Sequence, residues 1–271
     1  MQITFLGTGT SHGIPMIGCA CDVCLSPDPR DKRLRPSIFL RLDDDTDVLV
    51  DTSADFRAQA LTHDLTHIDA VLYTHSHADH ILGLDELRRY NVLQREAIPL
   101  YADERTLGDL RRVFDYAFQH TEGGHEYVPR LRPSAIAGPF MIGSATIVPV
   151  PILHGARPIL GYRIGRFAYL TDCSGIPEPS WPLLEGLDLL VIGALRDRPH
   201  PSHFSVSQAI EAARRIGARR TLFTHMCHDL GHVGTNARLP PGIELAYDGQ
   251  IVTLASDVAE TAARATAGRD T

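Results

Sequence analysis

The chain has 271 residues, of which 44% are hydrophobic and 22% are charged. This composition is typical of a globular protein and excludes wholesale disorder. The formal net charge of −7 argues against a protein that coats nucleic acid. Every apolar run is shorter than the roughly 18–20 residues of a membrane-spanning helix. The first residues also lack the basic and apolar regions of a signal peptide, so a cytoplasmic location is expected.

In the first half of the chain, strands and helices are predicted in a mixed order. A strand at 2–6 leads into a glycine-rich turn at 7–13 and an irregular segment at 14–36. The pattern then predicts a hairpin at 37–42 and 47–51, a helix at 55–63 with Ser53 a candidate N-cap, a strand at 70–75, a helix at 83–93, a strand at 98–102 and a helix at 104–118.

The second half begins with a predicted loop or lid at 119–135. It continues with strands at 144–150, 161–164, 167–171 and 187–195, a helix at 205–217, a strand at 220–225 and a closing hairpin formed by IELAYDG and QIVTLA. Because hairpins and helices are mixed, the pattern favours one α/β domain over 1–256, followed by a tail at 257–271. A sandwich fits this order better than a regularly alternating barrel.

The string His75-Ser76-His77-Ala78-Asp79-His80 follows an apolar strand. Alternate residues of an extended segment share a face, so His75 and His77 can point at one metal ion. Asp79 and His80 lie beyond the strand, where the turn into a helix can direct them at a second ion. Imidazole and carboxylate are good ligands for zinc, manganese or iron. A polar turn with satisfied core histidines is the weaker interpretation of so dense a pattern.

This string resembles the signature of the metallo-β-lactamase superfamily. The resemblance implies an αββα sandwich, in which two mixed β-sheets are flanked by helices. It also implies that three later residues, each after a strand, complete a dinuclear metal site: His154, Asp172 and His225. By resemblance, the first metal is held by His75, His77 and His154, the second by Asp79, His80 and His225, and both are bridged by Asp172.

Two divalent ions in such a site, manganese or zinc, can hold a hydroxide ion that attacks the substrate. They also neutralise charge on a phosphoryl or acyl oxygen. Asp79 is expected to steer the proton of the nucleophile. The superfamily acts on several kinds of substrate, so the fold alone does not identify the reaction.

Four further patches narrow the resemblance, namely GTGTSHGIP at 7–15, GCACDVC at 18–24, DPRDKRLRPS at 28–37 and THMCH at 224–228. Together they resemble the phosphoribosyl cyclic phosphate phosphodiesterases of phosphonate breakdown. The resemblance implies cleavage of a small cyclic phosphate ester, no stable nucleic-acid or membrane partner, and a homodimer. It further implies a structural zinc site in the loop at 18–36, with four ligands: Cys19, Cys21, Cys24 and His228. That set suits tetrahedral zinc; Cys227 in place of His228, or a cluster of free thiols, is the alternative.

The same family carries a catalytic histidine before a helix, which corresponds to His203 here. A histidine with its near-neutral pKa suits a general acid that protonates the leaving alkoxide. A helix-cap or surface histidine is the alternative, and His200 is a nearby competitor. Arg196 or Arg198 is a candidate for binding a second phosphate, although ordinary surface arginines are the simpler interpretation.

Other functions compete with this prediction. A tRNA 3′-processing endoribonuclease of the same fold is disfavoured by the negative charge and by the lack of a long Gly/Pro-rich arm. A thioesterase or lactamase has no support from the cysteine cluster. A non-enzymatic metal-binding regulatory module is disfavoured because all seven ligands of the dinuclear site are present. The turn at 7–13 is not a dinucleotide fingerprint, because His12 stands where a glycine is required. The roles of His12 and Cys173 stay open.

Overall fold

Two seven-stranded β-sheets form the centre of the computed structural model, which describes residues 1–119 and 128–255. The first sheet has the order β14-β1-β2-β3-β4-β5-β6. Its strands are β1 (Gln2–Gly7), β2 (Ser37–Arg41), β3 (Asp47–Val50), β4 (Ala70–Leu72), β5 (Ile98–Ala102), β6 (Leu131–Ala135) and β14 (Ile251–Thr253). The strands from β3 to β6 are parallel and the others antiparallel, so the sheet is mixed.

The second sheet has the order β13-β12-β11-β10-β9-β8-β7. Its strands are β7 (Phe140–Ile142), β8 (Ala145–His154), β9 (Arg157–Ile164), β10 (Phe167–Leu170), β11 (Leu189–Gly193), β12 (Arg220–Thr224) and β13 (Ile243–Leu245). The strands from β10 to β13 are parallel, and β7 to β10 are antiparallel. Each sheet therefore brings the carboxyl ends of parallel strands to one edge.

Helices cover the outer faces of both sheets. They are α1 (Asp22–Leu25), α2 (Phe56–Thr62), α3 (Ala78–Ile81), α4 (Leu87–Gln94), α5 (Glu104–Val113), α6 (Asp115–Phe118), α7 (Val206–Ile216) and α8 (His232–Asn236), with 3₁₀ turns at Pro29–Asp31, Leu84–Glu86 and Glu178–Leu184. Three buried apolar clusters result: one between the sheets, and one beneath the helices on each outer face. This is the αββα sandwich that the resemblance implied.

Helix α7 shows how local sequence and packing agree. Ser205 caps it in a reciprocal capping box with Gln208, and Gly217 ends it in the left-handed conformation that favours glycine. Its buried face packs against the second sheet, so both ends of the helix follow the predicted bounds of 205–217 closely.

The predicted closing hairpin is wrong. β13 pairs with β12 in the second sheet, whereas β14 pairs with β1 in the first. Asp248-Gly249 does form a turn, with Gly249 at φ +83°, but this turn carries the chain from one sheet to the other. The turn signal was correct, and each strand then took the partner that buries its apolar side.

The predicted loop at 119–135 is also partly wrong, because residues 131–135 form the edge strand β6. Pro133 lies within it, and an edge strand tolerates proline because it need not donate on both sides. Residues 120–127 of that loop, and the tail predicted at 257–271, lie outside the described residues. None of the helices within 1–119 and 128–255 has the length and apolar character needed to cross a membrane.

Two helix predictions need smaller corrections. Ser53 is not an N-cap: α2 begins after Asp55, and the Ser53 hydroxyl accepts from the Asp55 N–H at 3.1 Å while it donates to Gln59. The single helix predicted at 104–118 is two, α5 and α6, which are separated at Phe114.

Candidate metal centre

The ligand-bearing segments converge where parallel strands of both sheets end. The string from His75 to His80 follows β4 and enters α3. His154 is the last residue of β8, Asp172 follows β10, and His225 follows β12. Strand direction and the facing of the two sheets thus bring together residues that are 150 positions apart in the sequence.

The first group contains His75, His77 and His154, whose nitrogen atoms lie within 4.8 Å of one another. His75 and His154 are buried and His77 is half-buried. The His154 Nδ1 donates to the main-chain oxygen of Asp172 at 3.0 Å, so its Nε2 carries the free lone pair. This is the tautomer that a metal ligand needs.

The second group contains Asp79, His80 and His225, also within 4.8 Å. Asp172 lies between the two histidines: its Oδ2 is 2.9 Å from the His80 Nε2 and its Oδ1 is 3.1 Å from the His225 Nε2. Asp172 also forms ligand-like groups with His75 and His80, and with His154 and His203. A carboxylate in this central position suits the bridging role that the resemblance implied.

Asp51, which the sequence reasoning missed, supports the site from behind. It is fully buried after β3, and its carboxylate accepts from the His80 Nδ1 at 2.7 Å and from the Thr74 hydroxyl at 2.9 Å. Because the Thr74 hydroxyl donates its only hydrogen to Asp51, it accepts from the His75 Nδ1 at 3.1 Å. One carboxylate therefore fixes the tautomers of two neighbouring histidines.

The backbone at the site is held in an uncommon conformation. Asp51, Asp172 and His225 all have positive φ, at 63°, 56° and 58°. Residues other than glycine rarely adopt this region unless the surrounding structure holds them there, and such residues cluster at functional sites. Here each one follows a strand and turns its side chain to the same centre.

These residues fit a group of divalent metal ions. The Nε2 atom of His75 is buried and lacks a hydrogen-bond partner among the described residues, and the Nε2 atom of His80 faces the Asp172 carboxylate at 2.9 Å. Burial opposes a charged His80, yet Asp172, Asp79 and Asp51 outweigh burial and raise its pKa well above the usual value. The carboxylates thus favour positive charge at the centre, which a bound cation supplies.

The carboxylates themselves are held ionised. Burial alone would raise the pKa of Asp172, but His225 and His80 outweigh burial and hold the pKa well below its usual value. Burial would likewise raise the pKa of Asp79, but the neighbouring His80 outweighs burial and lowers that pKa. Burial lowers the pKa of His75 and of His77, so both rings are neutral near pH 7 and available as ligands.

His203 lies at the edge of this centre, with its Nδ1 3.4 Å from the Asp172 Oδ1 and its ring stacked 4.8 Å from that of His225. Its pKa is lowered to about 3, by burial first and by His225 second. The ring is therefore neutral near pH 7 in the free protein. Its competitor His200 lies 5.0 Å away, farther along the same row of rings.

A cavity of about 250 Å³ opens beside His203. Its lining includes Arg196, Arg198, His200 and the exposed His12, so His12 contributes to the cavity wall. Arg198 pairs with Asp229 at 3.3 Å, and Arg196 donates to two main-chain carbonyls. The lining is rich in cationic and imidazole groups, which suits a small anionic molecule.

The glycine-rich turn brings the backbone close to this edge. A Cβ on Gly7 would lie 2.0 Å from the carbonyl oxygen of Arg35, so only glycine fits there. The next residues pair with the segment after β12, through Thr10 N–H to Met226 oxygen and Met226 N–H to Thr8 oxygen, both at 3.0 Å. The turn thus packs directly against the residue that follows His225.

A separate cluster contains Cys19, Cys21, Cys24 and His228. The three sulfur atoms lie 3.2, 3.4 and 3.7 Å from the His228 Nδ1. Tetrahedral zinc with bonds of ~2.3 Å to sulfur and ~2.0 Å to nitrogen would place these atoms about 3.5 Å apart. Cys227 lies outside the cluster and accepts from the Asp229 N–H. His228 is therefore the better fourth ligand.

The cysteines of the cluster differ in environment. The pKa of Cys21 is lowered to about 6, first by the N–H of Cys24, whereas burial raises the pKa of Cys24 to about 11. His228 also lines the cavity beside His203, so the cluster stands directly behind one cavity wall. Cys173, by contrast, is fully buried in the apolar cluster beneath α7, which explains it as a packing residue.

Comparison with known proteins agrees with this geometry. Residues 46–226 match the model of the Beta-lactamase superfamily domain. The chain belongs to the metallo-β-lactamase superfamily. A solved structure described as a new diphosphatase from the PhnP family is 44% identical, with a TM-score of 0.87 over 93% of this chain and 96% of that one.

Two further matches differ in what their names say. The Zn²⁺-bound PqqB of Methylobacterium extorquens is 20% identical, with a TM-score of 0.72 over 94% of this chain and all of that one, which is a likeness of fold. The octanoyltransferase of Porphyromonas gingivalis is 38% identical over 92% of this chain, but this chain spans only 51% of its length. About half of that protein thus lies outside the match.

Proposed function

We propose that the chain is a metal-dependent phosphodiesterase that cleaves a small cyclic phosphate ester. Two divalent metals, manganese or zinc, would be held by seven residues: His75, His77, Asp79, His80, His154, Asp172 and His225. When bound, such ions supply a nucleophile at neutral pH and neutralise charge on the phosphoryl oxygens. Cys19, Cys21, Cys24 and His228 would hold a structural zinc.

The observation that carries the phosphate ester class is the cavity beside His203. Its arginines and histidines favour a substrate with negative charge. A neutral lactam or thioester gains little from such a lining. Its volume of about 250 Å³ suits a molecule of sugar phosphate size, and it is below the usual range for drug-sized ligands.

His203 is proposed as the general acid. It is the residue that both lines the cavity and lies within 3.4 Å of a central carboxylate. The free ring is neutral, but an anionic phosphate beside it favours its protonated form. Binding of the substrate would thus raise the pKa of His203, so that the ring takes up a proton from solvent and passes it to the departing sugar oxygen. Asp79, 3.4 Å from both His80 and His225, would orient the nucleophile.

A second candidate is hydrolysis of a diphosphate. It is favoured by the 44% identity to the PhnP-family diphosphatase over nearly the whole of both chains. The two reactions share attack on phosphorus and differ in the leaving group, which is a sugar oxygen in one and a phosphate in the other. Arg196 and Arg198 would bind the second phosphate in either case.

The test compares both substrate classes on purified protein with added Mn²⁺. Hydrolysis of bis-(p-nitrophenyl) phosphate and of a ribose cyclic phosphate is expected, together with about three metal ions per chain by elemental analysis. Faster turnover of a nucleoside diphosphate than of both esters would favour the second candidate. Bound metal without hydrolysis of any phosphate substrate would refute both.

Arginine variants test the role of the cavity. Arg198→Gln should raise KM for a substrate with a second phosphate by ~10-fold, because a charge-assisted hydrogen bond contributes ~1.5–3 kcal/mol and the largely exposed Arg198 lies at the lower end of that range. Arg220→Gln is the matched control: it is a partly exposed arginine that pairs with Glu244, at the opposite end of β12 from His225. Equal KM values in both variants would remove Arg198 from substrate binding.

A further inference from the structure

His77 differs from the other histidines of the first group in how it is held. The His75 Nδ1 is bound to Thr74 and the His154 Nδ1 to the Asp172 oxygen. Within the described part of the chain, no hydrogen bond reaches the ring of His77; its neighbouring rings are those of His75 and His154, with centroids 4.5 and 4.9 Å away. Its position therefore depends on the backbone on either side of it.

The residue before it, Ser76, is held on both sides. Its hydroxyl donates to the carboxylate of Asp109 in α5 and accepts from the Arg157 Nη2 at 2.8 Å. The same Arg157 nitrogen lies 3.6 Å from the Asp109 carboxylate. A serine hydroxyl has one hydrogen to donate, so this pair of contacts fixes both its rotamer and the direction of its hydrogen bond.

Arg157 is the residue that reaches across the two sheets here. It begins β9 and pairs with His154 across the turn at Gly155, so its main chain belongs to the hairpin that carries one ligand. Its guanidinium reaches the segment that carries the other two. Two further hydrogen bonds from β9 reach the same segment. The Leu160 N–H donates to the Thr74 oxygen at 3.1 Å, and the Tyr162 hydroxyl donates to the Tyr73 oxygen at 2.5 Å.

The opposite charges of Arg157 and Asp109 stabilise their shared contact with Ser76. The pKa of Asp109 is lowered first by the Ser76 hydroxyl, and then by Arg112 and Arg157, so it is ionised near pH 7. The Arg157 and Asp109 side chains are only 18% and 21% exposed, which limits screening by solvent. The Arg157 Nε is buried without a partner in the described residues, a cost that this placement of the guanidinium must offset.

We propose that Arg157 is a positioning residue of the metal centre. With Asp109 it fixes Ser76, and through Ser76 it holds the half-buried His77 against His154, across the junction of the two sheets. The inference rests on the proposed metal centre and is independent of the substrate. Residues behind metal ligands typically change metal affinity by 10–100-fold when they are replaced.

The test measures Mn²⁺ affinity and stoichiometry on chelator-treated protein by electron paramagnetic resonance, with thermal melting of the metal-free protein alongside. Mn²⁺ prefers nitrogen and oxygen ligands over thiolates, so its signal reports on the histidine centre. Arg157→Met is expected to weaken one Mn²⁺ site by ~10-fold, and Arg157→Lys to recover part of that loss. Arg163→Met is the control: it removes an arginine of β9 that donates to two carbonyls elsewhere.

A double-mutant cycle separates positioning from general stability. If Arg157 acts through His77, Arg157→Met should cause no further loss of affinity in the His77→Ala background. An equal loss in both backgrounds, or a similar loss in Arg163→Met, would overturn the proposal. If the wild type binds neither Mn²⁺ nor more than one Zn²⁺ per chain, the metal centre itself is refuted together with it; if it binds only Zn²⁺ there, the same comparison of variants is made by Zn²⁺ titration. If the wild type binds Mn²⁺ and Arg157→Met binds it with the same affinity, the proposed role of Arg157 is refuted and the metal centre is not.

Discussion

Replacement of Asp51 by asparagine tests whether the buried carboxylate behind the site sets the ligand tautomers. Asp51 accepts from the Thr74 N–H at 2.8 Å, from the Thr74 hydroxyl at 2.9 Å and from the His80 Nδ1 at 2.7 Å. Asparagine has the same size and tolerates the left-handed backbone at φ 63°. The variant therefore changes the chemistry of the position and leaves its shape intact.

The expected effect follows from counting donors. Whichever way the amide is turned, its NH₂ group faces at least one of these donors, so one buried hydrogen bond is lost at a cost of ~1–3 kcal/mol of stability. If the lost partner is His80, its Nδ1 gives up the hydrogen and its Nε2 takes it, which blocks the lone pair that faces Asp172. Metal affinity should then fall by ~10–100-fold, which corresponds to about 1.4–2.7 kcal/mol.

The assay is metal content after dialysis, followed by titration with Mn²⁺ and chemical unfolding of the metal-free protein. Asp47→Asn is the matched control, because Asp47 is a buried carboxylate on the same strand that pairs with Arg41 instead of with a ligand. Asp47→Asn should lose stability and keep its metal. Wild-type Mn²⁺ affinity both in Asp51→Asn and in Asp51→Gly, which tolerates φ 63° and removes the acceptor altogether, would refute the argument that this carboxylate sets the tautomer of His80.

Three other outcomes are expected. Cys21→Ser should lose one zinc ion per chain and melt at a lower temperature, because zinc binding in such a site contributes to folding free energy; an unchanged metal count would exclude the structural zinc. His203→Ala should lower turnover by ~10²–10⁴-fold with metal content intact, and unchanged turnover would remove it from the mechanism. Burial keeps His75 and His77 neutral near pH 7, whereas the carboxylates around His80 raise its pKa well above the usual value, so a proton competes with metal at His80. Metal affinity should thus be lower at about pH 6 than at about pH 7.5, and equal affinity would contradict this reasoning.

Local pattern predicted most elements of this fold, and the errors arose where partners are distant. Alternation and apolar runs located β2, β3, β11 and β12, and the helical spacing of apolar residues located α7. The pattern could not tell that β13 and β14 join different sheets, because a turn signal such as Asp248-Gly249 is the same in a hairpin and in a crossover. β6 was missed because an edge strand need not be apolar, and Pro133 made it resemble a loop.

At the metal centre, the ligands that lie close together in the sequence could be identified directly. Residues from His75 to His80 carry four ligand-type side chains within six positions, and positions 19 to 24 carry three cysteines within six. Asp51 could not be singled out, because an aspartate after a strand is common. One signal did exist: Asp51 lies just after a buried strand, as Asp172 does. Its role depends on a ring 29 positions later in the chain.

The sequence by itself determined the ligand types, their grouping on short segments and the sandwich that carries them, because residue chemistry and strand period are local properties. Only the tertiary structure decided which segments face one another. The carboxyl ends of β3, β4, β10 and β12 meet at one edge because the two sheets pack face to face, and packing of distant apolar faces is not encoded in any one segment. The same packing decided that His203 opens onto a cationic cavity and that Arg157 reaches Ser76.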